Sequence, residues 1–160
     1  MITETAARLI SDWPLGFVAT ADADGRPNLS PKGMFAVIDA ATLAFADIRS
    51  PGTLANLAVR PEVEINFIDI LSRRGVRIGG RATIHERGTS GFDRLIGAFE
   101  GSWPALQPRI GALVSVAVTA CRPLASPVYD DGTTTERSMR EMYMERITAL
   151  NAAALGEGTR

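Results

Sequence analysis

A single cysteine, Cys121, and a single histidine, His85, occur in 160 residues. Cys121 has no partner for an internal disulfide, and no Cys/His quartet of the kind that holds a structural metal can be assembled. Charge of one sign is also scarce: 17 basic residues face 18 acidic ones, a formal net charge of -1. That balance excludes a nucleic-acid binder working through a general basic surface, although a small local patch stays open. No apolar run approaches the roughly 20 residues of a membrane-crossing helix. The opening segment "MITETAARLISDW" carries acid early and lacks a basic leader, so it does not read as a secretory signal. The expectation is a soluble cytoplasmic protein with neither nucleic acid nor membrane as partner. What remains is ordinary globular composition, 46% hydrophobic and 22% charged, and a length most simply read as one domain over residues 1–160.

Periodicity divides the chain into strands with helices inserted between them. "TETAARLISDW" offers Thr3 as an N-cap and places Ala6, Leu9, Ile10 and Trp13 at helical spacing. "LGFVAT" then reaches a hairpin signal at Asp24-Gly25, and Gly25 to Val37 reads as the returning strand. A turn over Asp39 to Thr42 leads to "LAFAD", a strand ending at Asp47. Ser50 as N-cap, Pro51 at the first helical position, and Leu54, Leu57 and Ala58 as an apolar stripe predict a short helix that Arg60-Pro61 stops. In "VRIGGRATIH", Val76, Ile78, Gly80, Ala82 and Ile84 share one face, and Gly79-Gly80 marks a bend or a close backbone approach. "SGFDRLIGAFE" reads as a helix, "GALVSVAVTA" as an apolar strand, and about 134–154 as a C-terminal helix. The sum is a mainly β protein: a small antiparallel barrel of six strands, closed or partly closed.

The returning strand, "GRPNLSPKGMFAV", is too polar to serve a core alone. In extended chain Ser30 and Lys32 project from one face about 7 Å apart. The helix opening at Ser50 has free N–H groups and a partial positive charge at its start, a natural phosphate seat. Lys32, Arg49, Ser50 and Thr53 would then converge on one anion. Pro51 has no N–H and Ser50 consumes a donor if it caps, which weakens that seat. The commoner alternative is a capped helix beside an edge strand, where prolines also belong.

"LGFVATADADGRPNLSPKG", then "LAFADIRSPGTLANLAVRPEVEINF", then "VRIGGRATI" resembles the flavin-binding split-barrel proteins related to pyridoxamine 5'-phosphate oxidase. The likeness runs from about Leu15 to Ile84, with a looser echo from "GALVSVAVTAC" to Tyr129. Its most specific part is Asn56-Leu57 followed by Pro61 and Val63, between a strand ending in Asp47 and another apolar strand. The resemblance implies a six-stranded split barrel and a homodimer that binds FMN at the subunit interface and acts on a small-molecule substrate. It also implies that Ser30, Pro31, Lys32 and Gly33 line the cofactor from the strand, and Asp47, Ile48, Arg49 and Ser50 from the loop. Many relatives carry a phosphate-reaching lysine where this chain has Thr53. That threonine offers one hydroxyl bond and no charge, so Lys32 or Arg49 must supply the cation.

Chemistry borne by a cofactor explains why no nucleophile–base–acid set emerges, and no catalytic residue is assigned. Two other readings stay open: a deazaflavin-dependent reductase, and a flavin-sequestering protein without turnover. Haem is disfavoured because His85, the only imidazole, holds an unremarkable strand position. Cys121 reads as a packed thiol, and Met139, Met142 and Met144 as a packing stripe. Trp103, in the loop "GSWPALQPR", either covers a flavin, in its own subunit or across the dimer, or packs against the neighbouring helix. The C-terminal segment lacks the Arg- and Trp-bearing end associated with pyridoxal phosphate recognition, so true pyridoxamine-phosphate oxidase activity is not expected.

Overall fold

A computed structural model describes residues 1–101 and 103–156. Helix α1 (Glu4–Asp12) opens as the capping signal requires, the Thr3 hydroxyl accepting from the N–H of Ala6 at 3.2 Å. Strands β1 (Gly16–Ala21) and β2 (Pro27–Lys32) follow, then β3 (Phe35–Asp39) and β4 (Thr42–Asp47). Helix α2 (Pro51–Val59) separates these from the long hairpin β5 (Glu62–Asp69) and β6 (Arg74–Glu86). Helix α3 (Ser90–Ile96), a loop, strand β7 (Ala112–Ala125) and helix α4 (Glu136–Ala154) complete the described chain.

The described residues form seven strands, not six, in one antiparallel sheet of order β2-β1-β5-β6-β7-β4-β3. The extra strand comes from the stretch read as one returning strand. It breaks at Gly33-Met34: β2 pairs with β1 at one end of the sheet, and β3 pairs with β4 at the other. Two strands consecutive in sequence thus form the two free edges, and the barrel is split between them. The prolines explain the edge. Pro27 and Pro31 lie opposite Ala21 and Phe17 in the ladder with β1, on a strand whose outer side needs no N–H donors.

Inside the barrel, Val18, Leu43, Phe45, Ile65, Phe67, Ile78, Val114 and Val116 are fully buried, with α1 and α2 closing over them. A second cluster forms where α3 lies on the far face of β4 and β7, around Ala44, Phe92, Phe99, Ile110 and Leu113. Gly79-Gly80 is a bulge: the register with β7 shifts there, and a Cβ on Gly80 would come within 2.5 Å of the Ala117 carbonyl oxygen. Only glycine fits that approach.

Two local expectations fail. Ala58 is exposed, and α2 buries Thr53, Asn56 and Leu57 instead, because the face toward β1 and β2 is polar. Of the three methionines on α4, only Met139 packs, and Met142 and Met144 are about half exposed. Cys121 packs at the edge of the barrel core, as read. No helix among the described residues is long and apolar enough to cross a membrane.

Candidate functional site

The split in the barrel is also where a cleft opens. It has a volume of about 240 Å³ and is walled by Ser30, Pro31, Lys32, Gly33 and Met34 from the β2–β3 crossing. Ala46, Ile48 and Arg49 form the opposite wall, and Trp103 and Leu106 close one side. The geometry follows from the topology: a chain that leaves one sheet edge and joins the other must cross the gap, and β4 runs out beneath that crossing. The N–H of Ala46 donates to the carbonyl of Met34 at 3.1 Å, which ties the crossing down.

The polar face of β2, Asn28, Ser30 and Lys32, points toward α2 and the loop before it. The Lys32 ammonium donates to Asp47 Oδ1 at 2.8 Å, with side-chain exposures of 8% and 7%. It also bonds to Ser50 Oγ, which in turn bonds to the same Asp47 oxygen. Ser50 therefore does not cap α2: its side chain makes no bond to the helix's own N–H groups. A buried ammonium–carboxylate pair is a stronger competitor for that hydroxyl than a backbone amide. Two positions back on the same face, Asn28 Nδ2 donates to Thr20 Oγ1 and to Thr53 Oγ1, each at 3.2 Å, and Asn56 Nδ2 donates to Thr20 Oγ1 at 3.0 Å. Thr53 is only 1% exposed.

Of the nine candidate residues, six thus line one cleft: Ser30, Pro31, Lys32, Gly33, Ile48 and Arg49. Asp47 and Ser50 stand behind it as the partners of Lys32. Thr53 is absent from the lining and is engaged by Asn28. The cation at the cleft's surface is Arg49, which is exposed and makes no ion pair or side-chain hydrogen bond among the described residues. Met34, Ala46 and Leu106 were missed as site residues. Ordinary apolar alternation carries no mark of a cleft, and Leu106 arrives from a loop about 60 residues away. His85 lies elsewhere, its Nε2 2.8 Å from Ser115 Oγ, while a Cβ on Gly91 would fall within 2.3 Å of its Nδ1. Burial, helped by the nearby Arg94, lowers the His85 pKa, so the ring stays neutral near pH 7.

A seven-stranded split barrel with its cleft at the split defines the class of protein. The sequence pattern of the pyridoxamine 5'-phosphate oxidase family matches residues 2–122, and the chain belongs to that family. Its fold is similar to that of HupZ from Group A Streptococcus, at 29% identity and a TM-score of 0.65 over 79% of this chain and 96% of that one. An FMN-binding protein from Syntrophomonas wolfei shares the fold at 18% identity, TM-score 0.65, over 78% of this chain and 87% of that one. The haem storage protein HutZ from Vibrio cholerae shares it at 17% identity, TM-score 0.62, over 78% and 94%. Among proteins of curated function, none matches significantly.

Proposed function

We propose that the protein is an FMN-dependent oxidoreductase, a homodimer that acts on a small molecule with the flavin held in the cleft at the barrel split. The observation that carries this reading is the cleft's composition. The Arg49 guanidinium, without an ion pair among the described residues, and the Ser30 hydroxyl lie beside the apolar walls Pro31, Met34, Ala46, Ile48 and Leu106 and the indole of Trp103. A planar fork of donors suits a phosphate bidentately, and apolar walls suit a flat ring. The donor set therefore fits FMN, with Arg49 rather than Lys32 as the cation for its tail. When bound, FMN supplies hydride or electron transfer; the chain's residues bind it, orient it and exclude water.

Homodimerisation is supported by two features. A cleft of about 240 Å³ falls short of the roughly 300–1,000 Å³ typical of small-molecule sites, so one chain provides part of an enclosure. The outer face of β2, β1 and β5 also presents exposed Phe17 and Leu29 beside Ile68. Pro31 lies opposite Phe17 in the ladder and at the rim of the cleft. A second copy on that apolar face would therefore adjoin the cofactor.

The test is the visible spectrum of the protein mixed with FMN and freed of excess, before and after NAD(P)H. A retained flavin spectrum that bleaches on reduction and returns with an acceptor supports the proposal. A second reading, a flavin-sequestering protein without turnover, is favoured by the cleft's titratable lining being two cations, Lys32 and Arg49. It predicts a retained spectrum that NAD(P)H leaves unchanged. Retention of a deazaflavin in preference to FMN would point to the deazaflavin-dependent reductase.

A further inference from the structure

Trp103 is held where an isolated chain gains nothing from it. Its side chain is 63% exposed, and its backbone sits at φ +48°, the left-handed region that bulky residues rarely adopt. Such a conformation is strained and persists when its surroundings impose it. Here they do. The Leu106 N–H donates to the Trp103 carbonyl at 2.8 Å, and Gln107 Nε2 donates to the carbonyl of Phe99 at 2.6 Å. Arg87 clamps the far end, Nε donating to the Ile110 carbonyl at 2.7 Å and a terminal nitrogen to that of Gln107 at 2.9 Å. Phe99 and Ile110 are buried, so both ends of the loop are anchored in the core. The indole is therefore presented at the cleft, not left over from packing, and it shares the lining with Arg49 and Met34.

A solvent-facing indole on an anchored loop, beside a guanidinium with no ion pair among the described residues, suits one chemistry: a planar, electron-poor heteroaromatic ring carrying an anionic tail. We propose that Trp103 is the stacking residue of the cleft, covering the ring of such a ligand while Arg49 receives its tail. This rests on the placement of the flavin in the cleft and adds which side chain faces the ring. The residue positions the ring; it takes no proton and no electron pair.

The experiment compares the parent protein with Trp103→Ala and Trp103→Phe, measuring FMN and riboflavin affinity by equilibrium dialysis and recording the absorbance of the bound flavin. Trp103→Ala weakens both ligands about ten- to a hundredfold, as loss of an aromatic partner does for a stacked base, and Trp103→Phe recovers most of that. The parent complex shows a long-wavelength shoulder from the stacked indole and flavin, which Trp103→Ala abolishes. Melting of the unliganded variants matches the parent, because the side chain is exposed. FMN binding of equal affinity in parent and Trp103→Ala, with no shoulder in either, overturns the stacking role and leaves the cofactor reading standing. Absence of FMN binding in the parent overturns both.

Discussion

Lys32 and Asp47 form a buried ion pair across the split of the barrel, Nζ to Oδ1 at 2.8 Å, one residue ending β2 and the other ending β4. Strands β2 and β4 share no backbone ladder, so this pair and the Ser50 hydroxyl bridge what hydrogen-bonded strands do not. The Lys32 ammonium also lies 5.9 Å from the Phe45 ring centre. The cation that strand chemistry offers to a phosphate is thus already matched to a carboxylate.

Breaking that pair from one side leaves a buried charge without a partner. Lys32→Met is expected to cost about 3–5 kcal/mol, read from urea unfolding of the ligand-free protein. Replacing both residues, as Lys32→Met with Asp47→Leu, recovers most of the loss. A single variant as stable as the parent would show that Lys32 is free to serve a ligand.

Arg49 carries the opposite expectation. Arg49→Ala leaves unliganded melting unchanged, since the side chain is exposed and makes no ion pair among the described residues. It lowers FMN affinity by about 1.5–3 kcal/mol, the worth of a charge-assisted bond. Riboflavin, which lacks the phosphate, binds parent and variant alike. Equal losses for both ligands would place Arg49 against the ring instead.

The apolar outer face gives a test of assembly. Leu29, 63% exposed, carries no core contact to lose, so Leu29→Asp leaves the fold intact and disfavours a dimer through that face. Sedimentation velocity is expected to show a dimer for the parent and a monomer for the variant, with FMN retention falling in parallel. An unchanged dimer would move the interface elsewhere.

Acid sensitivity is expected at the foot of α4. Burial alone would raise the Asp69 pKa. Bonds from the Ser72 hydroxyl and from the N–H groups of Leu71 and Ser72, together with Arg140, outweigh it and hold the carboxyl below the ordinary aspartate value of 3.8. A depressed carboxylate adds stability that is complete above 3.8 and lost as pH falls through the lower folded value. Asp69→Asn is therefore expected to cost about 1.5–3 kcal/mol at pH 7, and its melting curve to converge with the parent's below that window. His85 acts in a higher one: its lowered pKa means that stability declines as pH drops below 6.5, until the folded ring protonates. A parent whose stability is flat between pH 7 and 5 would contradict a ring held neutral by its partial burial.

Much of the architecture was legible because local rules coincide with tertiary demands. Thr3 caps α1, Asp24-Gly25 turns β1 into β2, Pro51 opens α2, and each does so in the structure. The Gly25 turn has φ +85°, and Asp22 accepts from the N–H groups of Asp24 and Arg26. The break at Gly33-Met34 was not legible, since neither residue is a turn signal strong enough to divide a strand. Ser50 was misread for a related reason: a serine before a proline-led helix is a cap by every local criterion, and only Lys32 and Asp47, distant in sequence, divert it.

Resemblance to a known family pointed to the two segments that wall the cleft, whereas local pattern, by itself, determined the antiparallel β character and the helices between strands. These depend on period-two burial and on neighbours within a few residues, which composition and spacing express directly. Which cation stays free, where Trp103 points, and how β2 and β3 come to be opposite edges were decided only by the tertiary structure. Each depends on residues from separate strands and loops meeting at the split, where one charged partner, once brought within 3 Å, redirects every polar group around it.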